Sequence, residues 1–407
     1  MRGRLMWNAI VDGAMPRFWP PRPNKFWTAA LEPWRYWYLR RYYKIAEVAV
    51  EGADAFGRRF APGDGVLLAP NHSHDSDPHV MMQVGRRLKR QLHFMAAWQI
   101  FRPHAGLDGW ILQRMGAFSV DREGCDRRAL HQATEILTTG RSLVVFPEGE
   151  VYRLNDRLTP LLDGVAFMAL SAQRELTKTA PGRRVWIVPT AIRYRYVDDI
   201  RPGIEAAVAR LEHSLRLKTP RGATLDERIL HYGEFLLTIR EKEKFGHSFE
   251  TSGSLAERLA LLTESLLARH ETEYLKKSPS AETAALRVKA LRRRLFEIWT
   301  DEAAGDDARR QARDALDDVQ LALQAYSYPG NYISEKPSIE RMAETIEKLE
   351  EDLDGFAKPK GRRRARVLFG EPIDLSEANS GARPRIVAAE TTDRLEAAIK
   401  ELMRAEA

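Results

Sequence analysis

His72 and Asp77 are the two residues of this chain whose types and spacing could most directly do chemistry. They stand five positions apart in Asn71-His72-Ser73-His74-Asp75-Ser76-Asp77, just after the apolar run 66–70 and just before Pro78. A neutral imidazole held by a carboxylate is a general base able to take a proton from a hydroxyl. Asp before Pro is also a good helix opening, so Asp77 is a candidate N-cap as well, and the two roles are compatible. The same stretch supports a second chemistry. His72, His74, Asp77 and His79 are zinc-type ligands, as a metallohydrolase would use. The pattern His-x-His-x-Asp-His would need aspartate at 76 and histidine at 77, where the chain has Ser76 and Asp77.

The elements around these residues must place them at an edge where a ligand can reach. The runs 66–69, 142–146 and 185–192 are short, apolar and β-branched, and they read as strands. Helical stretches at 78–88, 127–138 and 160–173 separate them. Strand and helix alternating at this rhythm predict an α/β fold, a central mixed sheet flanked by helices. A strand that ends in histidine and turns into a helix presents its side chains at the rim of such a sheet, where α/β proteins build their sites.

Three later stretches belong with the first: Gly116-Ala117-Phe118-Ser119-Val120-Asp121-Arg122, Phe146-Pro147-Glu148-Gly149-Glu150 and Val188-Pro189-Thr190-Ala191. In this order and spacing the four blocks resemble those of the glycerophospholipid acyltransferase family, over residues 46–202 and a closing strand at 366–373. The resemblance implies transfer of a fatty acyl group from acyl-CoA or acyl carrier protein to the free hydroxyl of a lysophospholipid such as lysophosphatidic acid. It implies His72 as base and Asp77 as its partner, with no cofactor, no metal and no covalent acyl-enzyme. Arg122 and Glu148 match positions that hold the acceptor, a guanidinium fork suiting a phosphate and a carboxylate suiting a glycerol hydroxyl or Arg122 itself. Phe146, Pro147 and Gly149 belong to the same substrate-binding block, and Pro189 to the pocket wall. Two positions depart from the family's habit: Glu150-Val151-Tyr152-Arg153 follows where Thr is common, and Leu162-Asp163 precedes Gly164 where basic residues are common. Arg153 or Arg157 is then the expected substitute for phosphate contact.

Outside the core the chain changes character. Residues 1–45 form an aromatic and basic amphipathic segment holding Trp7, Trp19, Trp27, Trp34 and Trp37, five of the nine tryptophans, among many arginines and lysines. Such a mix suits a lipid headgroup layer, and equally a helix docked on the domain by its aromatics. Residues 203–357 read as a large helical insertion. Leu255, Leu259, Leu262, Leu266 and Leu267 recur at helical spacing, as do Leu286, Leu291, Leu295 and Ile298. Its leucine stripes are candidates for packing, for a homodimer interface or for a lid. Residues 358–407 supply a basic linker (Lys358, Lys360, Arg362, Arg363, Arg364, Arg366), the closing strand and a C-terminal helix.

The net charge of +7 favours anionic partners, here an anionic membrane surface and a phosphate-bearing donor rather than nucleic acid. The single cysteine, Cys125, cannot form an internal disulfide and fits a reducing compartment. No apolar run approaches the roughly 18 residues that cross a bilayer. The expectation is a bacterial cytoplasmic enzyme, peripheral on the inner face of the membrane. The remaining alternative, a non-enzymatic lipid-binding protein, would make the helical insertion the functional part.

Overall fold

Val66, Leu67, Leu68 and Ala69 are each wholly buried, which only a strand covered on both faces achieves. A computed structural model of the chain describes residues 16–56, 59–124, 126–249, 253–276, 282–376, 378 and 383–404. The readings that rest on Arg2, Arg4, Trp7 and Cys125 lie outside these residues. Contacts divide the chain into two units, one of mixed α/β character and one helical.

In the α/β unit, the described residues form an eight-stranded sheet. Its strands are β1 (Ile45–Val50), β2 (Gly65–Pro70), β3 (Leu92–Ala97), β4 (Ala117–Val120), β5 (Ser142–Val144), β6 (Val185–Tyr196), β7 (Arg363–Phe369) and β8 (Ile373–Asp374). The order is β1-β7-β6-β2-β5-β3-β4, with β8 pairing β6. β2 is parallel to both β5 and β6, whereas β6 and β7 are antiparallel, so the sheet is mixed.

Side chains alternate between its two faces. Val66 and Leu68 pack with Leu39 of α1 (Lys25–Arg41) and with Val80, Met81 and Val84 of α3 (Asp77–Arg87), the short helix α2 being Ala53–Phe56. Leu67 and Ala69 pack on the opposite side, among residues of helices that follow α4 (Leu107–Arg114). These are α5 (Arg127–Thr138), α6 (Gly164–Thr179) and α14 (Pro384–Arg404).

Three boundaries differ from expectation. Residues 160–163 are not helical, and α6 begins only at Gly164, because Leu162 N–H is used by Pro147 C=O at 2.9 Å. β5 ends at Val144 rather than at 146, because Phe146 C=O accepts from Gly149 N–H and the chain turns there. The closing strand starts at Arg363 and takes in three of the supposed linker arginines. Arg364 and Arg366 leave the strand on its half-exposed side, where Glu47 (2.8 Å) and Glu51 (2.7 Å) pair with them.

The second unit contains α7 (Arg201–Ser214), α8 (Leu225–Phe245), α9 (Leu255–His270), α10 (Ala284–Thr300), α11 (Asp306–Tyr326), α12 (Tyr332–Glu335) and α13 (Ile339–Asp354). Capping boxes open α8 (Thr224 with Glu227) and α9 (Ser254 with Glu257). Leu262, Leu266, Leu267, Leu291, Leu295, Leu316 and Val319 make one core, whereas Leu286 stays exposed. Among the described residues, no helix is long and apolar enough to cross a membrane.

Candidate active site

Parallel pairing fixes which strand ends meet. Leu68 of β2 is in register with Val144 of β5, and Val145 N–H donates to Leu68 C=O at 3.1 Å. The chain leaving β2 through Asn71 and His72 therefore runs beside the chain leaving β5 through Phe146. The His72 and Phe146 rings stack, with centroids 4.0 Å apart and planes inclined by 21°.

Asn71 extends β2 by side-chain mimicry. Its amide donates to Ile192 C=O (3.1 Å) and accepts from Ile192 N–H (2.7 Å), as a further strand residue would.

The turn His74 to Asp77 brings the acid back towards the histidine. Asp77 N–H donates to His74 C=O at 2.9 Å, and Pro78 then sets the first turn of α3. Asp77 is wholly buried, and its Oδ2 lies 2.9 Å from His72 Nδ1. A carboxylate can only accept, so Nδ1 carries the hydrogen and Nε2 keeps its lone pair. Oδ2 also accepts from His74 N–H at 2.9 Å, and Oδ1 from the Tyr194 hydroxyl. The His72 side chain remains 15% exposed while Asp77 is sealed, so the ring faces outward from a buried anion.

Phe146-Pro147-Glu148-Gly149 is a β-turn, closed by Gly149 N–H donating to Phe146 C=O at 3.2 Å with Pro at its second position. Gly149 has φ +77°, and a Cβ there would sit 2.8 Å from Leu162 Cδ1. Glu148 is buried and satisfied from within. One carboxylate oxygen accepts His72 N–H at 2.6 Å, and the other accepts the Thr159 N–H (3.1 Å) and hydroxyl. Burial pushes the Glu148 carboxyl above its ordinary value, and these hydrogen bonds pull against that. Pro189 lies in β6 opposite Ala69, its C=O accepting from Gly370 N–H at 2.8 Å.

Arg153, expected to serve a phosphate, is instead buried in an ion pair with Asp75, Nη2 to Oδ2 2.7 Å. Arg122 follows the end of β4 and groups with the helical unit.

The other histidines of the segment are used structurally. His74 Nδ1 accepts from Ser76 N–H (3.1 Å) and lies 2.7 Å from Ser76 Oγ. Burial first, then Arg363 and Arg153, hold its ring well below the ordinary histidine range, so it is neutral. His79 packs its ring among Tyr38 and Tyr43. Among the described residues, no three His, Cys, Asp or Glu side chains converge to hold a metal ion.

Tyr194 and Asn155 belong to the site and were not singled out from the sequence. Their signal was faint: a tyrosine at the end of an apolar strand, and an asparagine in an irregular stretch between β5 and α6.

The arrangement is that of an α/β protein with a carboxylate-held histidine at the rim of parallel strands. Residues 47–193, from β1 into β6, match the family model described as Acyltransferase. That part of the chain is an acyltransferase domain of the glycerophospholipid type, and it supports a general acyltransferase function. No curated protein matched the chain.

Proposed function

We propose that the enzyme moves a fatty acyl group from acyl-CoA or acyl carrier protein to the free hydroxyl of a lysophospholipid, with His72 as general base. The observation that carries this reading is the 2.9 Å contact between His72 Nδ1 and a wholly buried Asp77. An alcohol is a poor nucleophile at neutral pH, so its proton must leave as it attacks. In this reading His72 Nε2 takes that proton while the alcohol oxygen bonds to the thioester carbonyl carbon. The tetrahedral intermediate collapses, the C–S bond breaks, and the departing sulfur receives the proton from Nε2. Asp77 keeps the ring in the working tautomer and steadies the imidazolium. No group of the enzyme is acylated.

Phe146 fixes the ring plane by stacking, and Glu148 fixes the backbone of His72. Arg122 matches the family position that grips an acceptor phosphate. The exposed aromatics of α1 suit an anionic membrane surface at the inner face, where lysolipid is met. Incubation with a panel of lysolipids and a labelled acyl thioester, followed by lipid mass spectrometry, tests the reading. A new diacyl lipid made by the wild type and not by His72→Ala is the expected result. Thioester hydrolysis with no acylated lipid would overturn it.

A further inference from the structure

We infer that Tyr194 is a positioning residue of the His72–Asp77 pair, gripping the buried carboxylate by the oxygen that the histidine does not use. The reaction outlined above asks only for a base and its acid partner. A third member follows from what Asp77 needs. A carboxylate removed from water must have both oxygens satisfied. Oδ2 has the His72 ring and the His74 amide, and Oδ1 has the Tyr194 hydroxyl at 2.5 Å.

The phenol is itself held at its root. On one side of β6, Asn155 pairs with the Tyr194 backbone, accepting from its N–H (2.7 Å) and donating to its C=O (2.9 Å). On the other side, Tyr194 stands opposite Ala365 of β7. Ser76 Oγ lies 2.9 Å from the phenol oxygen and 2.7 Å from His74 Nδ1, so the carboxylate is one link in a buried hydrogen-bonded chain.

The charged and titratable groups facing this chain are His72, Asp75, Arg153 and Arg363. Burial and the neighbouring Asp77 hold the Tyr194 hydroxyl well above its ordinary value, so it stays protonated and remains a donor.

Removing the hydroxyl leaves Oδ1 without its donor, and a buried carboxylate with fewer donors holds a proton more tightly. Whether the extra proton sits on Asp77 or on His72, the pair gains proton affinity, so its protonation moves to higher pH. This inference takes its catalytic meaning from the acyl-transfer reading, but the proton affinity of His72 can be measured without a substrate.

The experiment is an NMR titration of 15N-histidine-labelled protein, wild type and Tyr194→Phe, beside pH–rate profiles of acyl transfer. Tyr194→Phe should lower the plateau of kcat/KM about 10- to 100-fold, from loss of a hydrogen bond to a charged group. The acid limb and the His72 titration should together move alkaline by about one pH unit. Incorporating 3-fluorotyrosine at position 194 keeps the shape and makes a stronger donor, so His72 should move the other way. That variant also decides the matter if Tyr194→Phe does not fold. An unmoved His72 titration in either folded variant overturns the inference, even if activity falls. A moved titration with no lipid acylation by any form leaves the positioning role standing and removes the acyl-transfer reading instead.

Discussion

Four residues carry separable expectations. His72→Ala should cost about 10²- to 10⁴-fold in kcat, the usual worth of general-base assistance. Asp77→Asn should cost somewhat less, and circular dichroism should show a retained fold for His72→Ala. Wild-type turnover by a folded His72→Ala protein would remove it from the chemistry. Arg122→Ala should raise KM for a phosphate-bearing lysolipid while leaving KM for the acyl donor little changed, and Arg122→Lys should recover only part of the loss. His74 should stay neutral as the pH is lowered. Its folded pKa lies below the unfolded 6.5, so the unfolded chain binds a proton first; stability is intact above about 6.5 and declines as pH falls towards the folded value. A His74 ring resonance that titrates near pH 6.5 in the native protein would contradict this. The pair His72 and Asp77 was readable because both lie within one strand-to-helix turn. Tyr194 was not, because it reaches Asp77 across 117 positions of sequence and a tyrosine in an apolar strand reads as core. Arg153 misled for a related reason: a free arginine and one buried against Asp75 look alike in sequence.

At the level of elements, the site depends on turns more than on strands. The 146–149 turn aims Phe146 at the imidazole and Glu148 at the His72 backbone, and Gly149 is its hinge. Gly149→Ala forces a left-handed conformation on a residue with a Cβ, at about 1–2 kcal/mol. Leu162 Cδ1, the atom in the way, is the end of a flexible side chain and can yield. The expected result is a urea midpoint lowered in line with that cost, with activity falling further than stability. Unchanged activity in Gly149→Ala would mean that the turn does not aim the ring. Strands β2 and β6 and helices α3 and α5 were legible to within a few residues, because apolar periodicity and Asp-Pro both mark them. The start of α6 was not. Pro160, Leu161 and Leu162 look like a helix opening, but hydrogen bonds to the neighbouring turn hold residue 162 outside it.

For the whole molecule, two properties follow from where chain ends return to the sheet. β7 inserts between β1 and β6 only after the chain has passed through the helical unit. Truncation after residue 360 should therefore leave two unpaired edges and an insoluble protein, as expression trials would show. The second property concerns α1. The sequence offered membrane contact and docking as alternatives for this segment, but the helix has two faces. Arg35 and Leu39 are buried, with the Arg35 guanidinium donating to His79 C=O at 3.2 Å. Phe26, Trp27, Trp34 and Trp37 are exposed and fall within about 100° of arc at 3.6 residues per turn. Deleting the helix would thus damage the fold and test nothing. Replacing Phe26, Trp34 and Trp37 together with serine leaves the buried face intact. That variant should lose binding to anionic vesicles while keeping its thermal midpoint and its turnover of dispersed, short-chain lysolipid. Raised salt should weaken the wild type as well, because Lys25, Arg40 and Arg41 would each add about 1 kcal/mol near an anionic surface. Vesicle binding equal to wild type at raised salt, where the cations are screened, would show that these rings serve some other contact.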